Sequence, residues 1–537
     1  MTESLIICLS LWGINLFFRL KYYLHMMQLE MYDNEKYTNW MIKNKEKTRT
    51  KKSGILVVIT SVTTLVYLIS PFNIYIYSII WVVASIYSLE YTKANIKKPL
   101  VFTNRARRLL ISTIIVALID VTLIILVVRL ISGNTYYIPI TIFIMSLSIY
   151  FSSYYLIIGN WVVSPIEKSI NMKYYKKAYN KIRDLEELTT IGITGSYGKT
   201  STKFIASKIL QQKYKTTNTP NSYNTPMGIS KFINNELNED YKMFVAELGA
   251  ERLGEIKEIA ELVNPKVGII TSIGPCHLKT FKSIDNIMKT KYELIKELPA
   301  DGTAIFNYDN EYVRKLADKT YRNKILYGID NKKDVDIYAD NIRTTHKGSS
   351  FTLHIKEKGS VKCNTKLLGE HNILNILAGV SVGYAMDMTL VQIASGIERI
   401  EPVEHRLQLI NPGTGVLIID DAFNSNPSGA RAALKVLKEF KEGKKIIVTP
   451  GMVELGRIQK EENYKLGEEI SKVCDYTILV GKKQTLPIQK GLRDSGYDGK
   501  NLFIVATLEE AQEVIGSIVK PKDVVLFEND LPDTYNE

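Results

Sequence analysis

A glycine-containing turn between a predicted strand and a predicted helix constrains this chain more than any other feature. The apolar, β-branched run Thr189–Thr194 is typical of a buried strand, and Thr200–Gln211 has the pattern of a helix. The turn between them reads Gly-Ser-Tyr-Gly-Lys-Thr over residues 195–200. It is a short form of a phosphate-binding loop, because Ile193 stands where the full spacing has its first glycine.

This loop predicts a site for the phosphates of a nucleotide. The N–H groups of the turn and the N-terminus of the helix face an anion, Lys199 adds a positive charge, and the Thr200 hydroxyl is placed to hold Mg²⁺. We therefore expect the nucleotide to contact Gly195, Ser196, Gly198, Lys199, Thr200 and Ser201. A plain glycine turn in an α/β domain is the simpler alternative.

The N-terminal third is apolar enough to predict a membrane region. Its apolar stretches are Leu5–Leu20, Gly54–Ser70, Phe72–Leu89, Leu109–Ile131 and Tyr137–Val163. Because a helix of about 20 apolar residues crosses a bilayer, we expect about five transmembrane helices, the first being the weakest. Asp120 is the acidic residue within these stretches, and both a functional carboxylate and a helix–helix hydrogen bond remain open for it.

Charge predicts how this region is oriented. Basic segments at 21–52 and 93–108, and the lysines after Val163, alternate with nearly uncharged connections near Pro71 and at 132–136. The positive-inside rule then places the N-terminus outside and everything after Val163 in the cytoplasm of a multi-pass cell-membrane protein. The net charge of +13 is explained by an anionic bilayer, so we expect no nucleic-acid partner.

Two further predicted strands lead into polar residues. Phe244–Glu247 ends on a carboxylate, and Val267–Thr271 leads into a loop that contains His277. Ligands gather at the carboxyl ends of strands in open α/β sheets, which makes Glu247 a candidate metal ligand. The four cysteines are scattered and contain no Cys-x-x-Cys pair, so neither a disulfide framework nor a zinc site is expected.

Seven ordered motifs resemble those of the Mur ligase family, the ATP-dependent amide ligases that assemble the peptide of cell-wall precursors. The motifs lie at 195–200, 247–250, 277–278, 291–293, 369–375, 404–407 and 420–428, and the likeness covers roughly Leu188 to Asp530. Two of them, Glu-Leu-Gly-Ala at 247–250 and the motif at 420–428, are most similar to the branch that adds D-alanyl-D-alanine to a UDP-muramoyl tripeptide.

The resemblance implies the roles of individual residues. Lys199, Lys291, Arg406 and His277 would be catalytic, and the metal ligands would be Thr200, Glu247, His277 and Lys291. Lys291 is similar to the family's carbamylated lysine, whose carbamate supports a second Mg²⁺; an exposed helix lysine is the alternative. The remaining nucleotide contacts would be Asn372 and Asn375 on the adenine side, Arg406 at the γ-phosphate when the domains close, and Asp421 at the ribose or hinge.

The resemblance also implies the reaction and its partners. ATP would phosphorylate the carboxylate of a wall-precursor peptide, and the amine of an amino acid or dipeptide would attack the resulting acyl phosphate, with two Mg²⁺ ions offsetting the charge. We expect an α/β protein with a multi-pass helical membrane region (1–165), a P-loop-type ATP-binding α/β domain (166–400) and a C-terminal Rossmann-like α/β domain (401–537).

Departures from the family pattern leave the substrate open. The apolar region occupies the place of the soluble domain that grips UDP, and residues 528–530 read Glu-Asn-Asp where the D-alanyl-D-alanine branch has Lys-Gly-Ser. His405 replaces a glycine, and Phe423 a tyrosine. The acceptor is therefore either UDP-linked or lipid-linked. Alternatives are a polyglutamate- or pseudomurein-type ligase and a membrane nucleotide-binding scaffold without ligase activity.

Overall fold

The computed structural model describes residues 2–89, 98–221, 223–276, 278–345, 348–423, 426–453 and 455–530. The chain divides into two compact units, Met1–Met172 and Lys173–Glu537. The first unit is helical in its described residues, and the second contains two β-sheets.

The N-terminal unit is built from long apolar helices. They are α1 (Thr2–Leu29), α2 (Asn34–Lys43), α3 (Lys45–Thr48), α4 (Lys51–Ile69), α5 (Ile74–Ser88), α6 (Asn104–Tyr150) and α7 (Ser153–Asp184), the last of which continues into the second unit. Many aliphatic side chains on α4 and α6 are exposed, as expected of helices that face something other than water. Asp120 accepts a hydrogen bond from the Tyr155 hydroxyl at 2.5 Å, which ties α6 to α7.

The structure gives fewer candidate spans than the five predicted. Among the described residues, three helices are long and apolar enough to cross a membrane, or four if a pair bent by 78° counts as one. Helix α5 has 15 residues and is only about 22 Å long, short of the ~30 Å hydrocarbon core. Helix α6 also continues through the connection predicted at 132–136, so the break falls after Tyr150.

The first sheet of the second unit carries the predicted phosphate loop, and we call it and its helices the middle domain. Its strands are β1 (Thr189–Thr194), β2 (Thr216–Asn218), β3 (Met243–Glu247), β4 (Val267–Ile270), β5 (Thr303–Asn307), β6 (Lys324–Gly328), β7 (Ile337–Thr345), β8 (Gly348–Ile355) and β9 (Gly359–Thr365). Its helices are α8 (Lys199–Leu210), α9 (Pro226–Asn235), α10 (Glu255–Val263), α11 (Leu278–Phe281), α12 (Ile284–Lys296), α13 (Glu311–Asp318), α14 (Glu370–Ala385) and α15 (Leu390–Glu398).

The strand order places the site. The sheet runs β2-β3-β1-β4-β5-β6-β7-β8-β9, with β2 to β7 parallel and β8 and β9 added antiparallel at one edge. Strand β1 lies between β3 and β4, so chain connections leave it in both directions. Such a switch point opens a crevice at the carboxyl ends of the strands, where ligands of parallel sheets bind.

The second sheet belongs to what we call the C-terminal domain. Its order is β10 (Gln408–Ile410), β11 (Leu417–Asp421), β15 (Val524–Glu528), β12 (Lys445–Thr449), β13 (Tyr476–Val480) and β14 (Leu502–Val505), all parallel except β10. The helices are α16 (Pro427–Glu439), α17 (Gln459–Ser471), α18 (Leu486–Asp494) and α19 (Leu508–Ile518), with short 3₁₀ turns at Gly456–Ile458 and Gly499–Asn501. This agrees with the predicted alternation of strands and helices.

Candidate nucleotide site

The loop after β1 has a shape that requires glycine. Gly198 has φ +80°, in the left-handed region, and a Cβ there would come within 2.6 Å of Asn375 Oδ1. A Cβ at Gly195 would lie 2.1 Å from Thr271 Oγ1. Both contacts are impossible for a larger residue, so the chain passes too close to its neighbours for any side chain but hydrogen.

Hydrogen bonds tie the loop to the segment that follows β4. The Ser196 amide donates to Ser272 O at 2.7 Å, and the Ser196 hydroxyl donates to Gly274 O at 3.1 Å. The Thr271 hydroxyl donates to Tyr197 O at 2.6 Å. Hydrogen bonds to residues 271–274 therefore hold the loop in place.

Lys199 begins helix α8 directly after the loop. Its Nζ donates to Gly195 O at 2.9 Å and to Ser196 O at 3.3 Å, so the ammonium lies over the loop. Thr200 and Ser201 occupy the first turn of the same helix, where backbone N–H groups lack helical partners. The arrangement is that of an anion site at a helix N-terminus with a cation beside it.

Glu247 is buried at the carboxyl end of β3 and has two partners. Its Oε2 lies 3.4 Å from Lys203 Nζ, and its Oε1 accepts from Asn224 Nδ2 at 3.1 Å. Lys203, fully buried on α8, also donates to the Asn221 carbonyl oxygen. Burial lowers the pKa of Lys203, while the Glu247 charge opposes that shift.

Lys203 is a site residue that the sequence reasoning missed. It lies four residues after Lys199 on α8, and residues so spaced share one face of a helix. That spacing was the available signal. It shows that Lys203 is on the loop side of the helix, but only the structure shows that Glu247 reaches it.

The donor set fits a Mg²⁺ ion that arrives with a nucleotide. Mg²⁺ takes oxygen ligands and is commonly held by one or two protein groups together with phosphates and water. Glu247 and Thr200 supply such oxygens. His277 lies outside the described residues, and within those residues no cluster of three His, Cys, Asp or Glu side chains forms a complete metal site.

Lys291 is buried on α12, and only 2% of its surface is exposed. Its Nζ lies 5.8 Å from the centroid of the Phe281 ring. Burial, together with the nearby Lys199 charge, lowers the pKa of Lys291 to about 7. Among the described residues it has no ion-pair partner. The alternative of an exposed helix lysine is excluded, and a large share of the amine is neutral near pH 7.

Asn372 and Asn375 lie on the first turns of α14 and face the loop. Asn375 Oδ1 accepts from the Thr202 hydroxyl at 3.3 Å and lies against Gly198, and Asn375 Nδ2 donates to Asn372 Oδ1 at 3.2 Å. Asn372 in turn donates to Leu368 O. The pair therefore buttresses the phosphate loop, and its predicted contact with adenine remains a prediction.

The C-terminal domain contributes Arg406 and Asp421. Arg406 stacks over the Phe423 ring, with its Cζ 4.6 Å from the ring centroid. Burial lowers the pKa of Arg406, and the charges of Asp421 and Glu247 oppose that shift. Glu247 belongs to the middle domain, so Arg406 faces the crevice. Burial raises the pKa of Asp421 to about 6, and its Oδ1 accepts from the Leu407 amide at 3.0 Å.

The backbone around Arg406 is strained. His405 has φ +58° and Leu407 φ +47°, both in the left-handed region that non-glycine residues avoid. His405 Nδ1 lies 2.7 Å from Asp420 Oδ2, and the Asp421 bond to Leu407 holds the other side. Strain of this kind persists where the surrounding contacts fix it, and here it fixes the position of the arginine.

Family models match both domains of the second unit. A model described as "Mur ligase middle domain" matches residues 193–383, and one described as "Mur ligase, glutamate ligase domain" matches residues 405–528. A relative from Escherichia coli, named UDP-N-acetylmuramoyl-tripeptide–D-alanyl-D-alanine ligase, is 31% identical over 342 residues, which cover 63% of this chain and 75% of the relative. This chain belongs to the Mur ligase family. Its homologues are ATP-dependent ligases, as the seven motifs predicted.

Other relatives agree with this membership. A protein of the same name from Buchnera aphidicola is 34% identical over 276 residues, which are 51% of this chain and 59% of that protein. The crystal structure of a MurF ligase from Thermotoga maritima in complex with ADP has a TM-score of 0.61 at 26% identity, covering 68% of this chain and 81% of that one. The chain thus spans about three fifths of the Buchnera relative's length. The two family models match residues that follow the apolar N-terminal region.

Replacing each of the two buried lysines with methionine is expected to change the stability of the fold in opposite directions. Lys203→Met leaves Glu247 as an uncompensated buried carboxylate and should destabilise the fold by about 3–5 kcal/mol. Lys291→Met removes an unpaired buried amine and should raise the melting temperature at pH 7.5, measured in bicarbonate-free buffer.

The effect of Lys291→Met should depend on pH in a defined direction. The unfolded chain, with a lysine pKa near 10.5, binds more protons than the fold between about pH 7 and 10.5, so the wild type gains stability as the pH rises through that window. The advantage of Lys291→Met should therefore shrink between pH 7.5 and 9.5. The same difference in melting temperature between the two proteins at both pH values would contradict the lowered pKa of Lys291. A lower melting temperature for Lys291→Met than for the wild type at pH 7.5 would also contradict it.

Proposed function

We propose that the protein is a membrane-anchored, ATP-dependent ligase that joins the carboxylate of a cell-wall precursor peptide to the amino group of an amino acid or dipeptide. The observation that carries this proposal is the position of Lys199 over the loop that follows β1, with the Lys199 charge acting on Lys291 and the charge of Glu247, at the end of β3, acting on Arg406 of the other domain. Family membership and the ADP-bound MurF structure support the use of ATP.

The residues of the crevice suit transfer of a phosphoryl group. The γ-phosphoryl passes from ATP to a carboxylate oxygen and leaves ADP behind. The amine then attacks the acyl carbon and expels phosphate, losing its extra proton to water. Such transfer depends on positioning and on offsetting negative charge. Lys199 and the loop N–H groups hold the phosphates, and Arg406 approaches from the C-terminal domain. Bound with the nucleotide, Mg²⁺ would offset further charge, held by Glu247 and Thr200.

Lys291 is proposed to carry a carbamate. A neutral amine attacks CO₂ and releases a proton to water, and the product is an anion in a site already rich in positive charge. The burial of Lys291, its lowered pKa and the neighbouring Lys199 all favour that exchange. A carbamate there would give the site a second anionic oxygen ligand, in line with the second Mg²⁺ expected from the resemblance.

The N-terminal unit supports membrane anchoring and, with it, a lipid-linked acceptor. Three or four of its helices qualify as spans by length and composition. We propose a multi-pass protein of the cell membrane whose catalytic domains are cytoplasmic and whose apolar unit takes the place of the UDP-gripping domain. An acceptor carried on a membrane lipid would then reach the crevice without a domain that holds UDP.

The ligase proposal is tested by ADP formation on detergent-purified protein with a panel of UDP-linked and lipid-linked peptides and candidate amines. Lys199→Ala should lose at least about 100-fold in rate, because it removes a charge that contacts the phosphates. Lys208→Ala, at the far end of α8, is the matched control and should keep full activity. Equal turnover by wild type and Lys199→Ala would favour the scaffold alternative, and activity on UDP-linked peptides alone would exclude a lipid-linked acceptor.

The carbamate is tested by ¹³C NMR after addition of ¹³C-bicarbonate. We expect a carbamate resonance near pH 8 that weakens as the pH falls below about 7, where the amine is protonated. Lys291→Arg should abolish the resonance, whereas Lys289→Arg, an exposed neighbour on the same helix, should retain it. A resonance that survives Lys291→Arg would assign the carbamate elsewhere.

Membrane topology is tested by fusing reporters to the C-terminus in the cell. We expect a fluorescent protein that folds only in the cytoplasm to light up the cell envelope, and a phosphatase active only outside to stay silent. Membrane association should resist carbonate and high-salt washing, because spanning helices are held by the hydrocarbon. Release by carbonate, or an active external phosphatase, would refute the proposed topology.

A further inference from the structure

A tyrosine in the phosphate loop has a buried hydroxyl that lacks a partner. The Tyr197 Oη is shielded from solvent, and no described residue forms a hydrogen bond with it. Buried polar atoms are nearly always paired, and an unpaired one lowers the stability of the fold. We therefore expect the Tyr197 hydroxyl to find a hydrogen-bond partner in another conformation of the protein.

The position of this hydroxyl is fixed by the rest of the residue. The Tyr197 carbonyl accepts from the hydroxyls of Thr271 at 2.6 Å and Ser272 at 3.1 Å, and its amide donates to the Ser272 hydroxyl at 3.3 Å. The ring lies so close to Gly274 that a Cβ on that glycine would be 2.6 Å from Cε2. The ring is therefore packed against the backbone at Gly274.

The hydroxyl faces charged side chains of the C-terminal domain. Burial raises the pKa of Tyr197; Cys276 and Glu462 add to this rise, and Arg431 opposes it. Arg431 on α16 lies 3.6 Å from Glu462 Oε2 and 3.7 Å from Glu469 Oε1, so one guanidinium serves two carboxylates. Glu462, whose side chain is 13% exposed, also accepts from Lys465 Nζ at 3.1 Å through Oε1, and its carboxylate is a mostly buried acceptor on α17.

We propose that Tyr197 is a positioning residue whose hydroxyl donates a hydrogen bond to the Glu462 carboxylate when the C-terminal domain closes on a bound nucleotide. The bond would link the phosphate loop to α17, so that the loop is held by both domains at the moment Arg406 reaches the phosphates. The ion pair with Arg431 holds Glu462 in place. This inference rests on the proposed function, in which Arg406 approaches the bound phosphates from the C-terminal domain.

The test compares Tyr197→Phe, Glu462→Met and the double variant by hydrogen–deuterium exchange of α17, with and without a non-hydrolysable ATP analogue. In the wild type we expect the analogue to slow exchange of α17 about ten-fold, the scale of one hydrogen bond to a charged group. Each single variant should lose most of that protection, and the double variant should lose no more. Without nucleotide, Tyr197→Phe should melt at the wild-type temperature or higher, because it deletes an unpaired buried group.

Tyr214→Phe is the matched control. Its hydroxyl donates to Met386 O at 2.9 Å, remote from the loop in sequence, and its loss should leave nucleotide-induced protection unchanged. Wild-type protection in Tyr197→Phe would overturn the inference, and losses that multiply in the double variant would overturn the Tyr197–Glu462 pairing.

Turnover separates this inference from the ligase proposal. In an active enzyme, Tyr197→Phe should lower kcat about ten-fold and leave the KM for ATP near the wild-type value, because the contact forms on closure. If the wild type forms no ADP with any substrate, the ligase proposal fails while the exchange data still decide the Tyr197 contact. If the wild type is active and Tyr197→Phe matches it in both assays, only the inference on Tyr197 fails.

Discussion

Positive charge concentrated in a poorly solvated crevice is the constraint on which the rest of the site depends. Lys199 lies over the loop, Lys203 is fully buried, and Arg406 enters from the other domain, whereas among the described residues Glu247 is the middle-domain carboxylate that forms an ion pair with one of them. Burying such charges is unfavourable unless an anion balances them. Nucleotide phosphates supply that balance, and charges already in place need no rearrangement when they bind.

The fold holds these charges together through backbone geometry more than through the charged residues themselves. Strand β1 lies between β3 and β4, so Glu247, the phosphate loop and the segment after β4 meet at one sheet edge. Glycine at positions 195 and 198 lets the chain pass close to Thr271 and Asn375. In the C-terminal domain, the left-handed conformations of His405 and Leu407 hold Arg406 at the crevice. Local strain and close approach are thus placed where ligand binding can offset them.

Local sequence patterns predicted the elements well and the contacts only in part. Strand β1 has the predicted bounds, and β3 differs from its prediction by one residue, because β-branched runs in parallel sheets are short and sharply bounded. Strands β5 to β9 were not predicted. Strands β8 and β9 have an alternating polar pattern at a sheet edge, which resembles a loop. Lys203 was missed because helical spacing gives its face, whereas its pairing with Glu247 depends on two segments 44 residues apart. The number of spans was overestimated because apolar composition does not show that α5 is short or that α6 continues past its uncharged middle.

The most direct test of the central claim is calorimetric titration of the protein with ATP, ADP and adenosine under one set of conditions with Mg²⁺. If the crevice is a cluster of cations awaiting phosphates, affinity must rise with the number of phosphates, with ATP binding at least about 100-fold more tightly than adenosine. Rising salt should reduce that difference only modestly, because buried charges are screened less than exposed ones. Equal affinities for ATP and adenosine would show that the phosphates do not meet these charges and would contradict the account.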